Sequence, residues 1–153
     1  MLRPIRLSEP VRSSGLLVLV LAALAAPPLR ADEWDDLTAE AETHRNAGRY
    51  AEAETPTRRA LEFAERQGDE LLIANSLHNL ALLYWLQGRY AEAEPLSRRS
   101  LSFLERSLGP EHPDVATSLN ILASLCTDQG RYSEAEPLYM RELTMREDAF
   151  GPK

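Results

Sequence analysis

Residues 88–105 read GRYAEAEPLSRRSLSFLE, and close copies of their opening lie on either side. GRYAEAE also stands at 48–54 and GRYSEAE at 130–136, so the copies are spaced 40 and then 42 residues apart. Three copies at a nearly constant period mark a repeat array, in which each unit buries its apolar face against its neighbours. Each copy closes one helical apolar pattern and opens another. Its Gly supplies the positive φ by which a chain reverses between two antiparallel helices.

Outward from these turns, the periodicity predicts six helices, at about 34–46, 51–67, 70–87, 91–108, 114–129 and 133–149. Leu77, Leu80, Ala81 and Tyr84 follow the i, i+3, i+4, i+7 spacing of a buried helix face, and Leu119, Leu122, Ala123 and Cys126 repeat it. In the first unit the same positions are Leu37, Glu40, Ala41 and His44, which predicts a first helix with one wet side. Ala41, Ala81 and Ala123 precede the turn Gly by seven residues, and Ala53, Ala93 and Ala135 follow it by five. These small side chains are expected where the two helices of a pair touch. Tyr50, Tyr90 and Tyr132, two residues after each Gly, are expected to fill the end of their own hairpin. The i, i+4 pairs Glu54–Arg58 and Glu94–Arg98 read as a solvated outer face. The connection 108–114, LGPEHPD, ends one helix at Gly109 and starts the next at Pro113. The fold class is therefore all-α: an α-solenoid of three antiparallel helix pairs, with repeats at about 34–67, 70–108 and 114–149.

Residues 1–31 differ from this body. They carry Arg3, Arg6, Arg12 and Arg30 against Glu9 alone, and the apolar run GLLVLVLAALAA at 15–26 is closed by Pro27 and Pro28. A basic start, a short apolar run and small residues up to Ala31 make a secretory signal peptide, cleaved after Ala31 or just after Ala25. The run falls short of the roughly 20 apolar residues of a membrane span, so no stable span is expected. An uncleaved anchor is the competing reading. Residues 32–153 form the repeat domain and retain 13 bases and 23 acids, a formal charge of -10. That sign repels nucleic acid and anionic lipid, and an exported, periplasmic or secreted location follows from the leader.

One cysteine, Cys126, allows neither an intramolecular disulfide nor a multi-thiolate metal site, and it reads as a small buried hydrophobe. His44, His78 and His112 show no metal-ligand spacing and read as structural or solvated. Neither a nucleophile–base constellation nor a phosphate loop interrupts the repeat, so no catalytic residue, cofactor or metal is expected.

Helix pairs with Ala, Gly, Tyr and Ala at these offsets resemble the tetratricopeptide repeat. The longer period, with GPEHPDVATSLN, LALLY, QGRYAEAEPL and RRSL, resembles the kinesin-light-chain type of that family. The resemblance implies a right-handed superhelix whose first helices line a concave groove that binds peptides or protein segments. Carried over position by position, the groove would take Asn75, His78, Leu82, Trp85 and Leu86 from the second pair. The third pair would give Thr117, Asn120, Ser124, Thr127 and Asp128, and the first Asp35, Thr38, Glu42, Arg45 and Asn46. The family's backbone-clamping asparagine is present at Asn120 and replaced at His78. Asn79 falls one residue off the groove line and is expected to face a neighbouring helix. Trp85 lies off the buried stripe, so it either anchors a partner or tucks under the adjacent hairpin.

The functional expectation is a non-catalytic, exported scaffold for a protein or peptide. The alternative is a regulatory fragment of a larger repeat protein with an enzymatic or signalling domain beyond Lys153. After the last repeat, the apolar side including Leu138, Leu143 and Phe150 has no following unit, which predicts self-association or a bound partner there.

Overall fold

The structure, a computed structural model, describes residues 32–151 without the side chain of Phe150. The expected leader, residues 1–31, lies outside the described residues, and so does the side-chain placement expected for Phe150. Six helices follow one another: α1 Glu33–Asn46, α2 Tyr50–Gln67, α3 Glu70–Leu86, α4 Tyr90–Leu108, α5 Pro113–Asp128 and α6 Tyr132–Phe150. No strand occurs among the described residues. Each helix packs on the next, and α3 also touches α5, so the odd-numbered helices form an inner row and the three hairpins stack as a solenoid. Among the described residues no helix is long and apolar enough to cross a membrane.

The turn between the helices of a pair is made the same way three times. Gly88 has φ 72°. Its N–H donates to Trp85 O at 2.9 Å, and the Arg89 N–H donates to Tyr84 O at 2.8 Å. These are the paired reversals of a Schellman ending, in which a left-handed residue satisfies the last free carbonyls. Gly48 with Arg49, and Gly130 with Arg131, make the same two bonds to the ends of α1 and α5. Between pairs, the Asp69 carboxylate caps α3 by accepting from Leu71 N and Leu72 N at 2.9 and 3.1 Å. His112 Nδ1 caps α5 by accepting from Asp114 N at 3.2 Å, with Pro113 in the first turn.

The predicted apolar stripes are the core. Leu77, Leu80, Ala81 and Tyr84, and likewise Leu119, Leu122, Ala123 and Cys126, are buried. On α1, Leu37 and Ala41 are buried while Glu40 is exposed. All six alanines flanking the turns are buried where helices meet. Burial raises the Cys126 thiol above its ordinary value, which keeps it protonated and unreactive.

Two expectations fail. Tyr132 is 68% exposed, although Tyr90 at the equivalent position is partly buried in a cluster with Leu80, Tyr84 and Leu125. The cluster that covers Tyr90 in part includes Leu125 of the following hairpin, and among the described residues no hairpin follows α6. Leu138, expected to be uncovered, packs within its own hairpin against the Val115, Leu119 and Met145 cluster, whereas Leu143 is 48% exposed.

Candidate functional site

The positions assigned to the groove lie on the inner row, on sides of α1, α3 and α5 that stay accessible beside the buried stripes. On α3, Asn75 and Leu86 are exposed, and His78, Leu82 and Trp85 are half-buried. On α5, Thr117 and Asp128 are exposed, and Asn120, Ser124 and Thr127 are half-buried. On α1, Thr38, Glu42 and Arg45 meet Asn79 and Leu83 of α3 around a gap of about 10 Å³, room for about one water. Asn79 thus faces the neighbouring helix. Asp35 and Asn46 are exposed further along α1.

Several of these side chains already have partners. Trp85 Nε1 donates to Asp128 Oδ2 at 2.5 Å, and its ring packs against the cluster of Leu80, Tyr84, Ala93 and Leu125. Of the two readings of this residue, the seat beside the adjacent hairpin is the one occupied. Ser124 Oγ and Tyr139 Oη share a hydrogen bond at 3.2 Å. The hydroxyls of Thr117 and Thr127 donate to carbonyls one turn back, at Pro113 and Ala123, leaving their lone pairs toward the surface. Thr117 also edges a mostly apolar cleft of about 320 Å³ with Pro113, Ala116, Met145 and Ala149. No hydrogen bond holds Asn75 or Asn120 among the described residues, so their amides remain free to pair with an extended backbone. Burial lowers the His78 pKa and the positive charge of Arg45 adds to it, so the ring is neutral at neutral pH.

The sequence reading missed a second set of residues. Glu54 and Glu94, read as parts of a solvated face, have side chains only 22% and 15% exposed and bind the next hairpin. Glu54 Oε2 accepts from Arg89 Nη1 at 2.9 Å, and Glu94 Oε2 from Arg131 Nη1 at 2.5 Å. Arg89 also holds Glu92 through two bonds of 2.8 and 2.7 Å and stacks 3.9 Å from the Tyr84 ring centre. The Tyr84 hydroxyl donates to Glu54 Oε1 at 3.0 Å, with Arg58 beside both. A second rung repeats further along, with Glu65–Arg99 at 3.2 Å and Glu105–Arg141 at 2.6 Å. Arg58 and Arg98 do reach solvent, but the carboxylates they share face the junctions. The signal was present, since Gly-Arg-Tyr and the second Glu of the motif recur in all three copies.

Stacked helix pairs with a common turn, small contact residues and charged rungs between units define a helical repeat protein. The chain belongs to the tetratricopeptide repeat family, whose pattern matches residues 37–106 and 72–148. Its fold is shared with solved repeat structures that include kinesin-light-chain-like ones. The TPR domain of Arabidopsis FLU superimposes with a TM-score of 0.70 at 20% identity, over 76% of this chain and 97% of that one. BtubC (BKLC) from P. vanneervenii gives 0.74 at 20% identity, over 90% of this chain and 56% of that one. The TPR-like repeats of a putative kinesin light chain from Podosopora anserina give 0.69 at 19% identity, over 88% and 65%. The chain thus spans little more than half to two thirds of the length of these last two. No curated protein matches it significantly.

Proposed function

We propose that the protein is a non-catalytic, exported scaffold that binds an extended protein or peptide segment along the row formed by α1, α3 and α5. The observation that carries this reading is the pair of unengaged amides, Asn75 and Asn120, on an inner face whose other side is packed tight. Side-chain amides that both donate and accept suit a peptide backbone independent of its sequence. Leu82 and the exposed Leu86 add an apolar stretch to this face, while Asp35 and Asp128 make its ends acidic and Glu42 is paired with Arg45 at 3.7 Å. The segment favoured is one with an apolar side chain between basic residues. A non-catalytic role fits a site whose threonine hydroxyls are spent on their own helices, beside a core that holds the Cys126 thiol buried. Export rests on the composition of residues 1–31, and mass analysis of the secreted or periplasmic fraction should find a chain starting near Ala26 or Asp32.

The test uses a displayed library of random peptides. Peptides selected on the native protein should bind Leu82→Asp and Asn120→Ala about 5- to 30-fold more weakly, equivalent to about 1 to 2 kcal/mol, with helicity unchanged. Trp85→Ala should lower stability as well as binding, because its ring and N–H are used within the array. Selected peptides that bind both groove variants normally would remove the assignment.

A further inference from the structure

Asp128 ends α5 two residues before the turn Gly130, and Trp85 of α3 holds its carboxylate from the neighbouring hairpin. The indole Nε1 donates to Oδ2 at 2.5 Å. That bond fixes the carboxylate without neutralising it. Asp128 is exposed and has no ion-pair partner among the described residues. The bases of the two adjoining turns are committed elsewhere, Arg89 to Glu54 and Glu92, and Arg131 to Glu94 and Glu134. An acid in the last turn of a helix also lies at the negative end of the helix dipole, where a cation is favoured. Neither α3 nor α5 carries a base in its last turn.

The position is open by its place in the repeat. Leu86 stands two residues before Gly88 as Asp128 stands before Gly130, and it is 40% exposed although α5 and α6 follow it. The accessibility of Asp128 therefore does not depend on where the array stops. The step between α1 and α3 is built differently. There Arg45 stands in the place of Trp85, half-buried and 3.7 Å from Glu42, and Leu86 stands in the place of Asp128. A cation is disfavoured at that step and attracted at the next.

We infer that a segment bound along the inner row, as proposed above, sets an arginine or lysine side chain on Asp128 at the step from α3 to α5. The aliphatic stem of such a side chain suits the exposed Leu86 and the half-buried Trp85, while its charged head suits the second carboxylate oxygen, Oδ1. The site rests on binding at the inner row and adds the place of one basic residue, away from Arg45.

The probes are peptides selected on the native protein from a random library, synthesised with acetylated and amidated ends so that only side chains carry charge. Asp128→Asn keeps an oxygen for the indole N–H, so it should melt like the native chain. The selected peptides should share a basic residue whose replacement by Gln weakens binding to the native protein about five- to tenfold. Asp128→Asn should weaken the unaltered peptide to the same extent, and the two changes together should cost no more than either alone. Asp128→Lys should prefer the peptide that carries Glu in place of the basic residue. Added salt should narrow the gap between the native chain and Asp128→Asn. Selected peptides with no shared basic residue overturn the site, and so do effects of the two changes that simply add. Binding lost in Leu82→Asp and Asn120→Ala but kept in Asp128→Asn removes this site and leaves the groove. Normal binding to all three variants removes both.

Discussion

Glu94 carries more of the array than its charge suggests. The Arg131 guanidinium, against the opposing effect of burial and with help from Arg98 and Gln129, holds its carboxyl down to about 2. A carboxyl depressed in the fold stabilises it fully above the unfolded value of about 4.3, and that stability is lost as pH falls toward the folded value. Denaturant unfolding should therefore show stability falling between about pH 4.5 and about pH 2, more steeply in the native chain than in Glu94→Gln. At neutral pH the variant should be less stable by about 1 to 2 kcal/mol, the cost of losing charge-assisted bonds in a half-buried site. Equal acid limbs for the two proteins would mean that the rung contributes nothing. This role was not legible in the periodicity. The i, i+4 neighbour Arg98 is the local partner, while Arg131 lies 37 residues away and is brought in only by stacking. Trp85 was ambiguous for the same reason, since its bond to Asp128 depends on how one hairpin is rotated on the next.

At the scale of the helix and its turn, the residues act locally and the sequence was readable. The buried stripe on α3 and the alanines flanking the Gly turns follow from spacing alone, because 3.6 residues per turn fix which side chains share a face. Ala81 is fully buried between helices, and Ala91, at the start of α4, is exposed. Ala81→Leu should cost about 1 to 3 kcal/mol through overpacking and lower the melting temperature, while Ala91→Leu should leave it nearly unchanged. Thermal melts of the two variants that coincide would contradict the assigned helix faces. What spacing alone does not tell is whether a repeated position has a neighbour to cover it. Tyr90 and Tyr132 occupy the same place in the motif, yet one is partly buried and the other open, because among the described residues only one has a hairpin after it.

Among the described residues, two rungs of Glu and Arg couple each hairpin to the next, and the inner row of first helices keeps an accessible face. The groove positions came from the repeat register, and the structure places them on accessible sides of adjacent helices. Which of them are spent within the array, as Ser124 and Trp85 are, depends on contacts between elements that a repeat register does not contain. The most direct test of the central claim is to titrate a library-selected peptide into isotope-labelled protein and follow the backbone amide shifts. The largest changes should fall at Asn75, His78, Leu82 and Asn120 on α3 and α5. Shifts concentrated instead on the outer helices α2 and α4, with those four residues unmoved, would contradict the account.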